Sequence, residues 1–76
     1  MEDVKAKVAK LVSESIGLEF PVSPSQRFSE DLKMDSLDFI DLLVNVDKTF
    51  GIRIPASDIP AIATVRGLAD YIEARQ

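Results

Sequence analysis

The chain has 76 residues, of which 46 % are hydrophobic and 29 % charged, with a net charge of −4. That length supports one small domain, residues 1–76, whose core leaves a net stability of only ~3–5 kcal/mol, and the balance is that of a folded chain rather than a disordered one. With no cysteine and no histidine, disulfides and thiolate metal sites are excluded, and the commonest metal ligand and the commonest general base are missing.

The acidity opposes nucleic acid as a partner. No apolar run approaches the ~20 residues a membrane span needs. The opening MEDVKAKVAK lacks the apolar region of a signal peptide, so the expected compartment is the cytoplasm. The charge is concentrated in one place. Residues 1–27 and 51–76 each balance their acids and bases. Residues 28–50 set Glu30, Asp31, Asp35, Asp38, Asp41 and Asp47 against Lys33 and Lys48 alone. A local field of that sign steers basic partners, although a solvated acidic face that only aids solubility has the same composition.

In chain order, the first helix is expected from Asp3 to Ser15. Val4, Val8, Leu11, Val12 and Ile16 recur at helical spacing, and Gly17 ends the run. A long connection follows, with Pro21 and Pro24 and no sustained period. Connections of that length inside a small domain need a reason. Phe20, Val22, Phe28 and Leu32 are expected to pin it across the core. The second helix begins at Ser36, with Asp35 as N-cap and Asp38 as the acid of a capping box. It runs to Phe50 and stops at Gly51.

At about 100° per residue, Phe39, Leu42, Leu43, Val46 and Phe50 share the inward arc of this helix. Asp38, Asp41, Asn45 and Lys48 share the wet one. Leu37, Ile40 and Val44 lie between them. Asp47 projects beside that strip, and burying a charge is costly. The strip is therefore either an exposed apolar contact surface or packed under the long loop. Next, IRIP reads as a short extended link. Ser57 is expected to cap a brief third helix with Pro60 in its first turn. Thr64 is expected to cap a final helix from Val65 to Ala74, with Val65, Leu68, Ala69 and Ile72 inward. The fold class is all-α: a small four-helix bundle of three longer helices and one short, with a long loop between the first and second.

The one serine amid the acids, Ser36, has no histidine to activate it, so no Ser–His–Asp set exists. Asp35 and Asp38 are explained as helix N-terminal acids that complement the dipole. No EF-hand spacing is present, and no catalytic residue or metal ligand is assigned. The hydroxyl can still be the substrate of another enzyme, because a helix's first turn favours an attached phosphate. An ordinary first-turn serine is the plain alternative.

The sequence resembles the acyl carrier protein family. The resemblance is carried by Phe28, Glu30-Asp31-Leu32, Asp35-Ser36-Leu37-Asp38, Leu42, Phe50, Ile52, Ile54-Pro55, Ile62, Thr64-Val65 and Asp70-Tyr71-Ile72. Together these run through about two thirds of the chain. Asp35-Ser36-Leu37 alone is weak; followed at this distance by the Phe50–Pro55 and Thr64–Ile72 patterns it is specific. The resemblance implies 4′-phosphopantetheine joined to Ser36 by a phosphodiester, installed from coenzyme A by a separate phosphopantetheinyl transferase. Asp35 and Leu37 flank that attachment point. The thiol of the arm holds an acyl group as a thioester, which answers the absence of cysteine. The resemblance also implies docking of Asp38, Ile40, Asp41, Val44 and Asp47, with Asp35 and Leu37, onto basic patches of the transferase and of acyl-loading and acyl-using synthases. It implies an acyl pocket lined by Phe28, Val46, Ile54, Ile62, Leu68 and Ile72. The protein is then a monomeric carrier, not an enzyme, serving fatty-acid, lipid or polyketide-type biosynthesis.

Lys33 and Met34 stand where the family's usual fatty-acid carriers have a glycine and a small residue. Lys48 and Thr49 interrupt a helix that is usually richer in glutamate, and Phe39 and Leu68 are bulky for their places. These departures suit a specialised carrier as readily as the housekeeping one. The Gly-Gly of multimodular peptidyl carriers is absent. The alternative reading is a carrier-like protein–protein interaction module that is never modified.

Overall fold

The computed structural model describes residues 3–19 and 22–76. Its elements are α1 (Val4–Ser15), α2 (Ser36–Phe50), a 3₁₀ helix (Ala56–Ala61) and α3 (Val65–Arg75). The expected bundle of three longer helices and one short one is what the chain forms.

Each longer helix starts where a side chain takes over an otherwise unpaired amide. Asp3 accepts from the Lys5 N–H at 3.0 Å, and Thr64 Oγ1 accepts from the Gly67 N–H at 3.0 Å. At α2 the box is reciprocal. The Asp38 N–H donates to Asp35 Oδ1 at 2.9 Å, and the Asp35 N–H donates to Asp38 Oδ2 at 3.4 Å. α2 ends at Gly51, whose φ of 71° is left-handed and whose N–H donates to the Asp47 carbonyl at 2.8 Å. That backbone conformation favours glycine.

α1 packs against both α2 and α3. Val8, Val12, Leu42, Val46, Leu68 and Ile72 are fully enclosed at the centre. Val22, Phe28 and Met34 from the long loop and Ile52, Ile54 and Ile62 from the later link complete the core. The loop is therefore pinned by Val22 and Phe28 as expected, with Leu32 half-buried; Phe20 lies outside the described residues. Backbone bonds finish the task. The Phe28 N–H donates to the Ala63 carbonyl, the Val65 N–H to Gln26 and the Arg66 N–H to Pro24, at 2.9 to 3.1 Å. Arg27 and Thr64 form an antiparallel bridge there. The loop is thus clamped to the segment that launches α3.

Two local expectations change. Ser57 does not cap the short helix: it lies inside it, and Pro55 stands at the N-cap position without a side-chain bond. Pro55 fixes the extended entry through its own ring, with φ −68° and ψ 150°, so no hydroxyl is needed. Pro60 sits well inside this helix rather than in its first turn. A 3₁₀ turn held by Asp58 N–H to Pro55 and Ile62 N–H to Ile59 tolerates the missing proline donor. Asn45, expected on the wet arc of α2, is half-buried. Its amide donates to Ser15 Oγ at 3.3 Å, tying α2 to the end of α1.

Candidate functional site around Ser36

Three segments converge on the start of α2. The first is the turn that precedes it. The Asp31 and Leu32 amides both donate to the Arg27 carbonyl at 3.0 Å, and the Met34 amide donates to the Phe28 carbonyl at 2.8 Å. For Met34 to reach back, Lys33 adopts φ 55°, a left-handed conformation that an L-residue with a Cβ enters only at a cost. The consequence is alternation. Lys33 faces solvent, Met34 is buried, and Asp35 is exposed at the helix cap.

Ser36 is the first residue of α2 and is exposed. Its backbone is fixed by the capping box on either side, so the hydroxyl has a set position without being enclosed. Among the described residues the Ser36 and Leu37 amides meet no protein acceptor. That leaves the positive end of the helix open towards any anion carried on the hydroxyl.

Beside Ser36 opens a cleft of about 460 Å³ between the 27–34 turn, α2 and the 3₁₀ helix. Arg27, Glu30, Asp35 and Ser36 lie around it. Phe28, Met34, Phe39, Leu43, Ile59 and Ile62 supply its apolar lining. The Phe28 and Phe39 rings meet at a centroid distance of 5.2 Å, tilted by 42°. The wall carrying Ile59 is tied to α3 through Asp58. The Tyr71 hydroxyl donates to Asp58 Oδ2 at 2.6 Å, and the Arg75 guanidinium lies 3.4 Å from the same oxygen and 3.9 Å over the Tyr71 ring. The hydrogen bond to the Asp58 carboxylate, with some desolvation, raises the Tyr71 pKa above the ordinary phenol value.

Outward from the cleft, α2 presents Leu37, Ile40 and Val44 at 72 %, 53 % and 47 % exposure. The strip is therefore solvent-facing and is not covered by the long loop. Asp38 and Asp41 are exposed beside it. Asp47 is half-buried, its carboxylate 4.0 Å from Arg53. A second hollow of about 330 Å³, between Ile40, Val44, Asp47, Lys48, Arg53 and Ile54, continues the strip towards the end of α2.

The six residues expected to line a pocket fall into three places. Phe28 and Ile62 line the cleft. Ile54 lines the second hollow. Val46, Leu68 and Ile72 are fully enclosed in the core and border neither hollow. Helical spacing identifies an inward-facing residue, but not whether a void lies in front of it. Conversely, Met34, Phe39, Leu43 and Ile59 line the cleft without having been assigned to it. Phe39 and Leu43 read only as core positions. Met34 and Ile59 sit in segments with no period, where the sole available signal was a large apolar residue directly before Asp35-Ser36. Among the described residues no acidic cluster is arranged to hold a metal ion.

Comparison with known proteins bears on this arrangement. A family model described as a phosphopantetheine attachment site matches residues 6–72. Among solved structures, a protein from Anaplasma phagocytophilum assigned as an acyl carrier protein superposes with a TM-score of 0.86 at 28 % identity, over 99 % of this chain and 90 % of that one. BlmI from Streptomyces verticillus, a type-II acyl carrier protein involved in bleomycin biosynthesis, superposes with a TM-score of 0.81 at 21 % identity, over 95 % of this chain and 84 % of that one. At that identity the second likeness speaks to the fold alone.

Proposed function

Because this chain belongs to the phosphopantetheine attachment-site family and has the acyl carrier fold, we propose that Ser36 is the attachment residue and that the protein presents acyl thioesters to biosynthetic enzymes. The family's covalent group is 4′-phosphopantetheine, and the chain is a carrier rather than a catalyst. When attached, that group supplies the thiol that this cysteine-free chain lacks, and so a thioester for the acyl cargo.

The residues present fit the group. Ser36 Oγ is accessible to an incoming enzyme, and the open first-turn amides of α2 favour a phosphodiester there. Asp35 and Asp38 hold the backbone of Ser36 through the capping box. Asp35 Oδ1 is occupied by the Asp38 amide, and no histidine exists to take the serine proton. The base therefore belongs to the transferase. In the transfer, the Ser36 oxygen forms a bond to phosphorus, the pyrophosphate bond of coenzyme A breaks, and its nucleotide portion leaves. The cleft beside Ser36 offers apolar lining for part of an acyl chain, with Phe28 and Ile62 among its walls.

Docking uses α2. Leu37, Ile40 and Val44 offer an apolar strip, and Asp35, Asp38, Asp41 and Asp47 supply a negative field. Basic patches on a phosphopantetheinyl transferase and on acyl-loading and acyl-using synthases complement that surface. The protein acts as a monomer in the cytoplasm, in fatty-acid, lipid or polyketide-type biosynthesis. Lys33, Met34, Lys48 and Phe39 favour a specialised carrier over the housekeeping one.

The observation that carries this reading is the exposed Ser36 hydroxyl, held at the open end of α2 within a matching family span. It is tested by intact mass after incubation with coenzyme A and a broad-specificity phosphopantetheinyl transferase. One phosphopantetheine is expected on the wild type and none on Ser36→Ala. A folded wild type that stays unmodified with several transferases refutes attachment and leaves the unmodified interaction module as the better account.

A further inference from the structure

The cleft beside Ser36 has a closed floor. Leu42, Val46, Leu68 and Ile72 have no exposure and form a packed layer with no room for a guest chain. The Phe28–Phe39 contact at 5.2 Å joins the loop to α2 at the cleft. Met34 is buried at 6 % exposure and lines the same cleft. Its backbone is anchored on both sides: its own amide is bonded to the Phe28 carbonyl, and the next residue caps α2. Met34 therefore cannot leave the cleft by a loop movement. Only its unbranched thioether side chain can yield, and it yields through rotamers.

Resting on the reading that Ser36 bears an acylated arm, we infer that Met34 sets the depth of this cleft and so the length of acyl chain that the protein shelters. Each methylene that fits is withdrawn from water, which is worth about a fourfold change in protection. A methylene beyond the floor must displace Met34 or prise apart Phe28 and Phe39. Overpacking of that kind is destabilising, so the gain stops there. Met34 is thus a specificity-determining residue, with no part in attachment itself.

The test reads thioester protection. Wild type and variants are loaded by the transferase with a straight-chain acyl series supplied as acyl coenzyme A. Cleavage by hydroxylamine is followed by mass and referred to the same acyl group on free pantetheine, with melting curves recorded for every species. In the wild type, protection should climb by about fourfold per carbon and then flatten. Met34→Ala should move the break to chains about two carbons longer, because the thioether arm is gone. Met34→Leu, which nearly conserves volume, should leave it in place. Ile59→Phe, at a half-buried position on the opposite wall, should bring the break to shorter chains, and it decides the matter if Met34→Ala does not fold. Protection that ignores chain length, or a break unmoved by both Met34→Ala and Ile59→Phe, overturns the inference while leaving attachment intact. Failure of the folded wild type to accept any arm overturns the attachment reading and this one with it.

Discussion

Lys33 occupies a backbone conformation that glycine would hold more cheaply, and its replacement has a definite expected outcome. At φ 55° the Cβ of an L-residue crowds the following carbonyl, at a cost of about 1–2 kcal/mol. Glycine removes that cost but loses more chain freedom on folding, by roughly 0.5–1 kcal/mol. The net for Lys33→Gly is a stabilisation of about 0.5–1 kcal/mol. In a domain of this size 1 kcal/mol moves the melting temperature by about 4–8 °C, so a rise of about 3–6 °C is expected. Lys33 is exposed in an acidic segment, so removing its charge has a small effect of its own. Lys33→Ala shares that loss of charge and keeps the Cβ; it should show no such rise. Thermal unfolding by circular dichroism, with urea titration to check that the m-value is unchanged, reads the difference. A Lys33→Gly protein no more stable than Lys33→Ala would refute the idea that this turn is strained.

Other outcomes follow from the same geometry. Asp35→Ala should cost about 1 kcal/mol by removing the N-cap of α2, measured by urea titration, whereas Asp35→Asn should retain most of it. Asp41→Lys should slow modification of Ser36 by weakening association, and the deficit should shrink as salt is raised; a deficit independent of salt would remove the electrostatic part of the docking account. Tyr71 has a raised pKa, chiefly because its hydroxyl donates to the Asp58 carboxylate. The folded protein therefore holds that proton more tightly than the unfolded chain does. The stability this contributes is fully present below the ordinary value of 10.0 and is lost as pH rises above it. Tyr71→Phe should flatten that alkaline loss, as read by melting temperature against pH.

What the sequence made legible here has a common physical source. The helix limits at Asp35, Gly51 and Thr64 depend on local chemistry: a side chain accepting an amide two or three residues on, or a left-handed glycine. The exposure of Leu37, Ile40 and Val44 depends on the position of Asp47 on the same helix, which periodicity also reveals. The failures were tertiary. Asn45 sits at an angle that reads as wet, and only the placement of Ser15 gives it a partner. Ser57 is a good cap by type, but Pro55 had already fixed the helix entry. The wall formed by Met34 and Ile59 is assembled from two aperiodic segments, so no spacing rule announces it. Val46, Leu68 and Ile72 share an inward arc with core and pocket residues alike. Only the packed structure distinguishes a side chain that faces a void from one that faces another side chain. Lys33 reads as a misplaced charge beside the attachment residue. In the fold it is first a backbone feature, the left-handed step that turns Met34 inward.

The most direct test of the central claim uses the protein as its own cells make it. Peptide-level mass spectrometry of the purified native protein, digested under conditions that spare thioesters, asks what Ser36 carries. The account predicts a phosphopantetheine on the peptide that contains Ser36, part of it bearing an acyl group whose mass points to the pathway. A Ser36 peptide found only in unmodified form, or an arm located on another serine, would contradict it.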